Sequence, residues 1–193
     1  IAPVHVVIVP ILYADTSEIV TDYAKSIERT LKKRRFTVTL DLREETPGEK
    51  FHYWEKLGVP IRLEIGLKEV DNKTVTMVRR DTLLKQIVSL ENLAEEVKVM
   101  LKEINQNLWR RATNSLRQRV TLASNLTQAI KQIKEGSAII QAFWCGDERC
   151  RYQAEEKTAT QIIGFPTRKE KKSKKCLICG KKAKKLICLA KSY

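Results

Sequence analysis

Residues Val4 to Leu12 (VHVVIVPIL) are apolar almost without a break and rich in β-branched side chains, the pattern of a strand buried on both faces. A helix is predicted next. Asp15 or Thr16 can cap it, Glu18 stands three residues past Asp15, and Ile19, Tyr23, Ile27 and Leu31 recur every four residues on one stripe. Lys32 to Arg35 load its last turn with positive charge, complementing the helix dipole. Phe36 to Asp41 (FTVTLD) then alternates, with Phe36, Val38 and Leu40 on one face and Thr37, Thr39 and Asp41 on the other. Strand, helix and strand in this order make a βαβ unit with a parallel pair.

Thr46-Pro47-Gly48-Glu49 reads as a capping box with proline at the first helical position, and the helix it starts runs to about Leu57, where Gly58 is a left-handed stop. Val59 to Ile65 is a third strand, with Ile61, Leu63 and Ile65 facing one way and Arg62 and Glu64 the other. Thr74 to Arg79 and Lys85 to Leu90 are two further short strands. A long helix follows from about Glu91 to Leu116, carrying Leu93, Val97, Met100, Leu101, Ile104 and Leu108 on its inner stripe. These elements predict a three-layer α/β domain with a mixed sheet over residues 1–117.

The pattern changes from Val120 onward. Asn125, with Gln128 three residues later, starts a short helix whose Ile130 and Ile133 face inward and which ends at Gly136. Ala138 to Trp144 is a strand leading into Cys145, a helical stretch covers roughly Gln153 to Thr160, and apolar segments follow at Ile162 to Phe165 and Leu186 to Ala190. Residues 118–193 therefore predict a second, smaller α/β domain. The longest apolar run, Val6 to Leu12, is broken by Pro10 and falls far short of the roughly 20 residues of a membrane helix. The expectation is a soluble protein with no membrane partner.

Charge sharpens the picture. The net charge is +14, and ten of those charges lie between Thr167 and Tyr193, where eleven Lys or Arg face a single acid, Glu170. A polyanion, nucleic acid above all, is the natural partner of such a surface. The plainer reading of Arg168 to Lys175 (RKEKKSKK) is a solvated loop.

Four of the five cysteines form two knuckles, Cys145-x4-Cys150 and Cys176-x2-Cys179. Two such pairs can close around one tetrahedral Zn²⁺, and four thiolates leave no open position for activating water, so the metal would be structural. Iron could replace zinc in this donor set. Disulfides are the competing pairing. The absence of a signal-peptide pattern and a length sufficient for a real core favour reduced thiols in the cytoplasm. Cys188, among Leu186, Ile187 and Leu189, reads as a small core residue, and His5 and His52 as packing or surface residues.

The string PGEKFHYWEKLGVPIRLEIGLKEV (Pro47 to Val70), followed by Val78-Arg79-Arg80-Asp81 and Lys85, resembles the anticodon-binding domain of prolyl-tRNA synthetases of the archaeal and eukaryotic type. The resemblance continues through Trp144-Cys145-Gly146-Asp147, the Cys176 and Cys179 pair, and the ending Ala190-Lys191-Ser192-Tyr193. It implies a five-stranded α/β anticodon-binding domain followed by a small zinc-binding α/β domain. Both would belong to a class II proline–tRNA ligase whose catalytic core lies outside this chain. The start at Ile1-Ala2-Pro3, without an initiator methionine, fits a piece of a longer polypeptide. The missing core would bind proline, ATP and Mg²⁺ and would dimerise; the partner of the present chain would be tRNA(Pro).

Proline anticodons present two guanines, and reading guanine takes a carboxylate for N1 and N2 and a cation for O6 and N7. By position in the motif, the resemblance assigns this role to Glu55, Arg62, Lys68 and Lys85. The plainer alternative is a surface ion pair between Arg62 and Glu55 or Glu64. Where the family commonly has proline, this chain has Leu67. The terminal Tyr193 matches a tyrosine whose carboxylate supports the catalytic centre, against the ordinary expectation of a frayed end. Two other functions compete. One is a free-standing RNA-binding module of the same fold, without catalysis. The other is a zinc-ribbon module that binds nucleic acid through the lysines of the last third alone.

Overall fold

The computed structural model describes residues 2–166 and 175–191. The chain divides into two compact units, Ile1–Arg110 and Arg111–Tyr193.

In the first unit β1 (Val6–Pro10) is followed by α1 (Ser17–Lys33), β2 (Val38–Leu40), α2 (Pro47–Lys56), β3 (Ile61–Ile65), α3 (Leu67–Asn72), β4 (Thr74–Arg79), β5 (Lys85–Ser89) and α4 (Leu93–Arg119), which carries the division between the units at its Arg110. The five strands form one sheet in the order β2-β1-β3-β4-β5. β1 pairs in parallel with β2 and β3, whereas β3, β4 and β5 are antiparallel. Val6 to Val9 are completely buried, as their unbroken apolar run requires of a strand covered on both sides.

The two faces of the sheet are covered unequally. On one face Val6, Ile8, Ile61, Leu63, Ile65, Val75, Met77 and Val88 pack with Val20, Ala24, Ile27 and Leu31 of α1 and with Leu93, Val97, Met100 and Ile104 of α4. On the other, Phe51 and Trp54 of α2 pack over Val7, Val9 and Val59, and so cover the β1 side. Arg62 and Glu64 of β3, Thr76 and Val78 of β4, and Lys85 and Ile87 of β5 stand in register along that same second face.

Two details of the first helix differ from expectation. The buried stripe of α1 is Val20, Ala24, Ile27 and Leu31, and Ile19 is exposed. One turn of 3-10 helix at Ala14–Thr16 precedes α1, and Thr16 at its N-cap makes no side-chain cap bond. Val20 rather than Ile19 meets the core, and the buried stripe joins the expected one at Ile27 and Leu31. At α2 the capping box forms in full: the Thr46 side chain accepts from the Glu49 N–H, and Glu49 Oε2 accepts from the Thr46 N–H at 2.9 Å. Gly58 takes φ +81° just past its end, a conformation open to glycine without a Cβ penalty.

The second unit continues with β6 (Val120–Ala123), α5 (Leu126–Lys134), β7 (Ile139–Trp144), α6 (Glu148–Thr158), β8 (Gln161–Gly164) and β9 (Lys185–Ala190). Its sheet has the order β6-β7-β9-β8, with β6 and β7 parallel and the others antiparallel. The core gathers Ala123, Ala129, Ile140, Ala142, Ala154, Leu177, Ile187 and Leu189. Asn125 caps α5 by accepting from the Gln128 N–H at 2.9 Å. α6 begins five residues earlier than expected because Asp147 caps it, its carboxylate accepting from the Arg149 N–H at 2.9 Å.

Candidate functional site

Three of the four polar residues expected to read a base lie in one ion-pair array on the second face of the first sheet. Arg62 donates from Nη1 to Glu55 Oε1 at 2.7 Å, and from Nε and Nη2 to Glu64 Oε1 at 3.1 and 2.9 Å. Lys85 Nζ reaches Glu64 Oε2 at 2.7 Å. The guanidinium also lies 3.9 Å over the Phe51 ring, a cation–π contact that fixes its plane. Only 12% of the Arg62 side chain is exposed, against 36% for Glu55 and 56% for Lys85.

The ion pair given above as the plainer alternative is thus formed, with both Glu55 and Glu64. The carboxylates lock the arginine, and among the described residues two of its five N–H groups and the Oε2 lone pairs of Glu55 have no partner. Lys68 does not join this array. It sits exposed on α3, where its carbonyl accepts from Asn72 Nδ2 at 2.8 Å. Leu67 opens α3, a helical position that also accommodates proline, so the departure at Leu67 keeps the turn helical.

Residues that position the array were not singled out from the sequence. Asp41, 3% exposed at the end of β2, accepts from Trp54 Nε1 at 2.7 Å and from Arg43 Nε and Nη2 at 2.9 and 2.7 Å. Burial pushes this carboxyl upward, but the bonds from Arg43 and Trp54 outweigh it and hold it down to about 2. It thereby ties α2, which carries Glu55, to the sheet. Asp81 performs the same service for the β4–β5 hairpin, accepting from Arg79 Nε at 3.0 Å and from Asn107 Nδ2 at 2.6 Å.

The second unit builds the cysteine cluster. Cys145 follows β7 directly, Cys150 stands in the first turn of α6, and Cys176 and Cys179 bracket a turn before β9. That turn is docked by the Leu177 N–H on Phe143 O and by the Lys184 N–H on Trp144 O, at 2.8 and 2.9 Å. It closes with the Gly180 N–H on Cys176 O, Gly180 taking φ +69°. All five cysteines are free, and the four ligand atoms lie within 4.8 Å of one another. A tetrahedral ion with sulfurs at about 2.3 Å holds them about 3.8 Å apart; Cys145 and Cys179 Sγ stand 3.7 Å apart.

Burial raises the Cys176 thiol, but backbone N–H groups of Cys179 and Ile178 aimed at its sulfur bring it down to about 7. Such amide donors stabilise a thiolate ready for metal. Cys150 is pushed up to about 12 by burial and by its bonds with Cys145 and Cys179, so a metal ion taken up here has to compete with a tightly held proton. Four close cysteines of this kind could hold a metal ion. Cys188 is half-buried on β9 and stands apart from the cluster. Tyr193 and the basic loop from Arg168, apart from Lys175, lie outside the described residues.

The family model described as "Anticodon binding domain" matches residues 5–100, and the one described as "Prolyl-tRNA synthetase, C-terminal" matches residues 126–193. The whole chain aligns with proline–tRNA ligases from Sulfurisphaera tokodaii at 40% identity, Pyrococcus abyssi at 37% and Saccharolobus islandicus at 38%. The chain is homologous to the C-terminal portion of proline–tRNA ligases. It spans 41% of the length of these relatives, and the catalytic core is not among its matched domains.

Within this family frame, the array of Glu55, Arg62, Glu64 and Lys85 falls inside the matched anticodon-binding segment, and all four clustered cysteines fall inside the matched C-terminal segment. Among the described residues, no helix is long and apolar enough to cross a membrane.

Proposed function

We propose that residues 1–117 read the anticodon of tRNA(Pro) through the part of the sheet face beyond α2, and that residues 118–193 form a zinc-stabilised scaffold. Both would serve a class II proline–tRNA ligase. The observation that carries this reading is the array itself: a half-exposed carboxylate, a locked guanidinium and an exposed ammonium side by side in an anticodon-binding domain. Glu55 accepts from guanine N1 and N2, while Arg62 and Lys85 donate toward O6 and N7. Lys68, exposed on α3, contributes a cation to the flanking backbone.

Zinc is the metal that suits four thiolates at tetrahedral spacing. Its role is to hold β7, α6 and the turn before β9 together. ATP, Mg²⁺ and proline bind to the catalytic core of the longer enzyme, which acts as a dimer in the cytoplasm, and the carboxylate of Tyr193 supports that core's active site.

Binding of the chain to tRNA(Pro) transcripts carrying single anticodon substitutions tests the reading. Glu55→Gln should lose roughly 1 to 3 kcal/mol for guanine at one anticodon position and little for the substituted transcript. Arg62→Lys, which keeps charge but loses the fork, should relax guanine preference as well. Equal affinity of the parent chain for all anticodons would instead support a module that binds through its lysines alone.

A further inference from the structure

Beside the array, a small cleft is lined by Val7, Trp54, Val59 and Val78 at its floor and by Glu55, Arg62, Arg80 and Leu83 at its rim. Two rim residues have no role in the reading above. Arg80 is exposed, and its guanidinium makes no ion pair or hydrogen bond among the described residues. Its backbone is nevertheless fixed, the N–H donating to Pro60 O at 3.0 Å.

Leu83 is stranger. It lies in the β4–β5 turn with φ +59° and 61% of its surface exposed. A left-handed conformation disfavours any residue with a branched apolar side chain, and here no burial compensates for it. The turn is nonetheless pinned: the Leu83 N–H donates to Arg79 O at 2.9 Å, the Arg79 N–H to Leu84 O at 3.1 Å, and Asp81 anchors its base. The side chain is thus held out to solvent at the edge of a cleft with an apolar floor and a partly charged rim, with the aliphatic Leu84 and Ile87 also exposed on the same hairpin.

We propose that Arg80 and Leu83 hold the nucleotide whose base Glu55 reads, Leu83 packing on the base face and Arg80 neutralising a backbone phosphate. An unstacked base needs an apolar platform on its face as well as hydrogen-bonding partners at its edge. The array supplies only the edge partners, because the Phe51 ring is taken by Arg62. The array is also nearly self-neutralised, since its two cations are paired with its two carboxylates. The uncommitted Arg80 is the cation on this rim free to meet a phosphate. This inference rests on the anticodon reading and adds the residues that grip rather than read.

The test uses the full 193-residue chain and tRNA(Pro) transcripts over a series of salt concentrations. Arg80→Ala should weaken binding about tenfold, equally for native and guanine-substituted anticodons, and reduce the slope of log affinity against log salt by about 0.7. Leu83→Gly should weaken binding about three- to tenfold with the salt slope unchanged. Its melting temperature should hold or rise, because glycine accepts the left-handed turn. An unchanged salt slope in Arg80→Ala, or a guanine-selective loss, overturns the phosphate contact. Parental affinity in Leu83→Gly, or weaker binding matched by a lower melting temperature, overturns the platform. Glu55→Gln separates the two levels. If it removes guanine preference while both rim variants bind as the parent does, this inference alone fails; if it leaves the preference intact, the anticodon reading fails and this inference with it.

Discussion

At the end of β2, one nearly inaccessible carboxylate takes hydrogen bonds from an indole and a guanidinium, and α2 is held by them. Asp41 is read from the sequence as the polar side of an alternating strand, which places it correctly on the face away from Val38 and Leu40. The alternation does not reveal that Trp54, thirteen residues on, folds back over it. Its carboxyl sits at about 2 when folded and near 3.9 when unfolded. The folded value is the lower, so the interaction stabilises the protein in full above about pH 4 and is lost as pH falls from about 4 toward 2. The expected contribution is about 2 kcal/mol. Urea titrations between pH 5 and 2 should show this acid slope in the parent and a flatter one in Asp41→Asn. Glu64 teaches the same lesson in reverse. Its outward position on β3 is plain from the sequence, yet only strand pairing brings Lys85 to its second oxygen and makes it the shared acceptor of two cations.

Elements were legible where their signals were local. The capping box and Gly58 delimit α2 because both act within a few residues. By contrast, the six residues of α3 are too few to show a periodic stripe. The start of α6 is obscured in the sequence because its cap, Asp147, lies between Cys145 and Cys150, inside the first cysteine knuckle. The knuckles yield a prediction at this scale. On the zinc reading proposed above, the ion would have to displace the thiol protons, the one on Cys150 being held more tightly by burial, so uptake should release protons and weaken steeply on acidification. Cys150→Ser or Cys179→Ser should abolish stoichiometric zinc, measured by elemental analysis. The same variants should increase amide hydrogen exchange across β7, α6 and β9 while leaving exchange in β1, β3 and β4 at parental levels. Full zinc in both variants would contradict the assignment.

For the molecule as a whole, the two functions are expected to separate. The chain covers 41% of the length of its relatives and its matched domains are those for anticodon binding and the C-terminal region. The isolated chain should therefore bind tRNA(Pro) yet show no proline-dependent ATP–pyrophosphate exchange; measurable exchange would refute the division of labour. The sequence by itself determined the five strands of the first sheet and most of the helices, which strand faces are apolar, that two cysteine pairs exist and which family carries such motifs. All of these depend on short-range periodicity, capping and spacing. Tertiary structure decided that Arg62 pairs with Glu55 and Glu64 at once, that Asp41 and Asp81 brace the elements around it, and that the sulfurs of two separate cysteine knuckles lie within 4.8 Å of one another. Some of these contacts, such as Asp41 with Trp54, Asp81 with Asn107 and Cys145 with Cys179, join residues distant in the chain, and the energies of all of them depend on burial and strand register, which arise only when the sheets assemble.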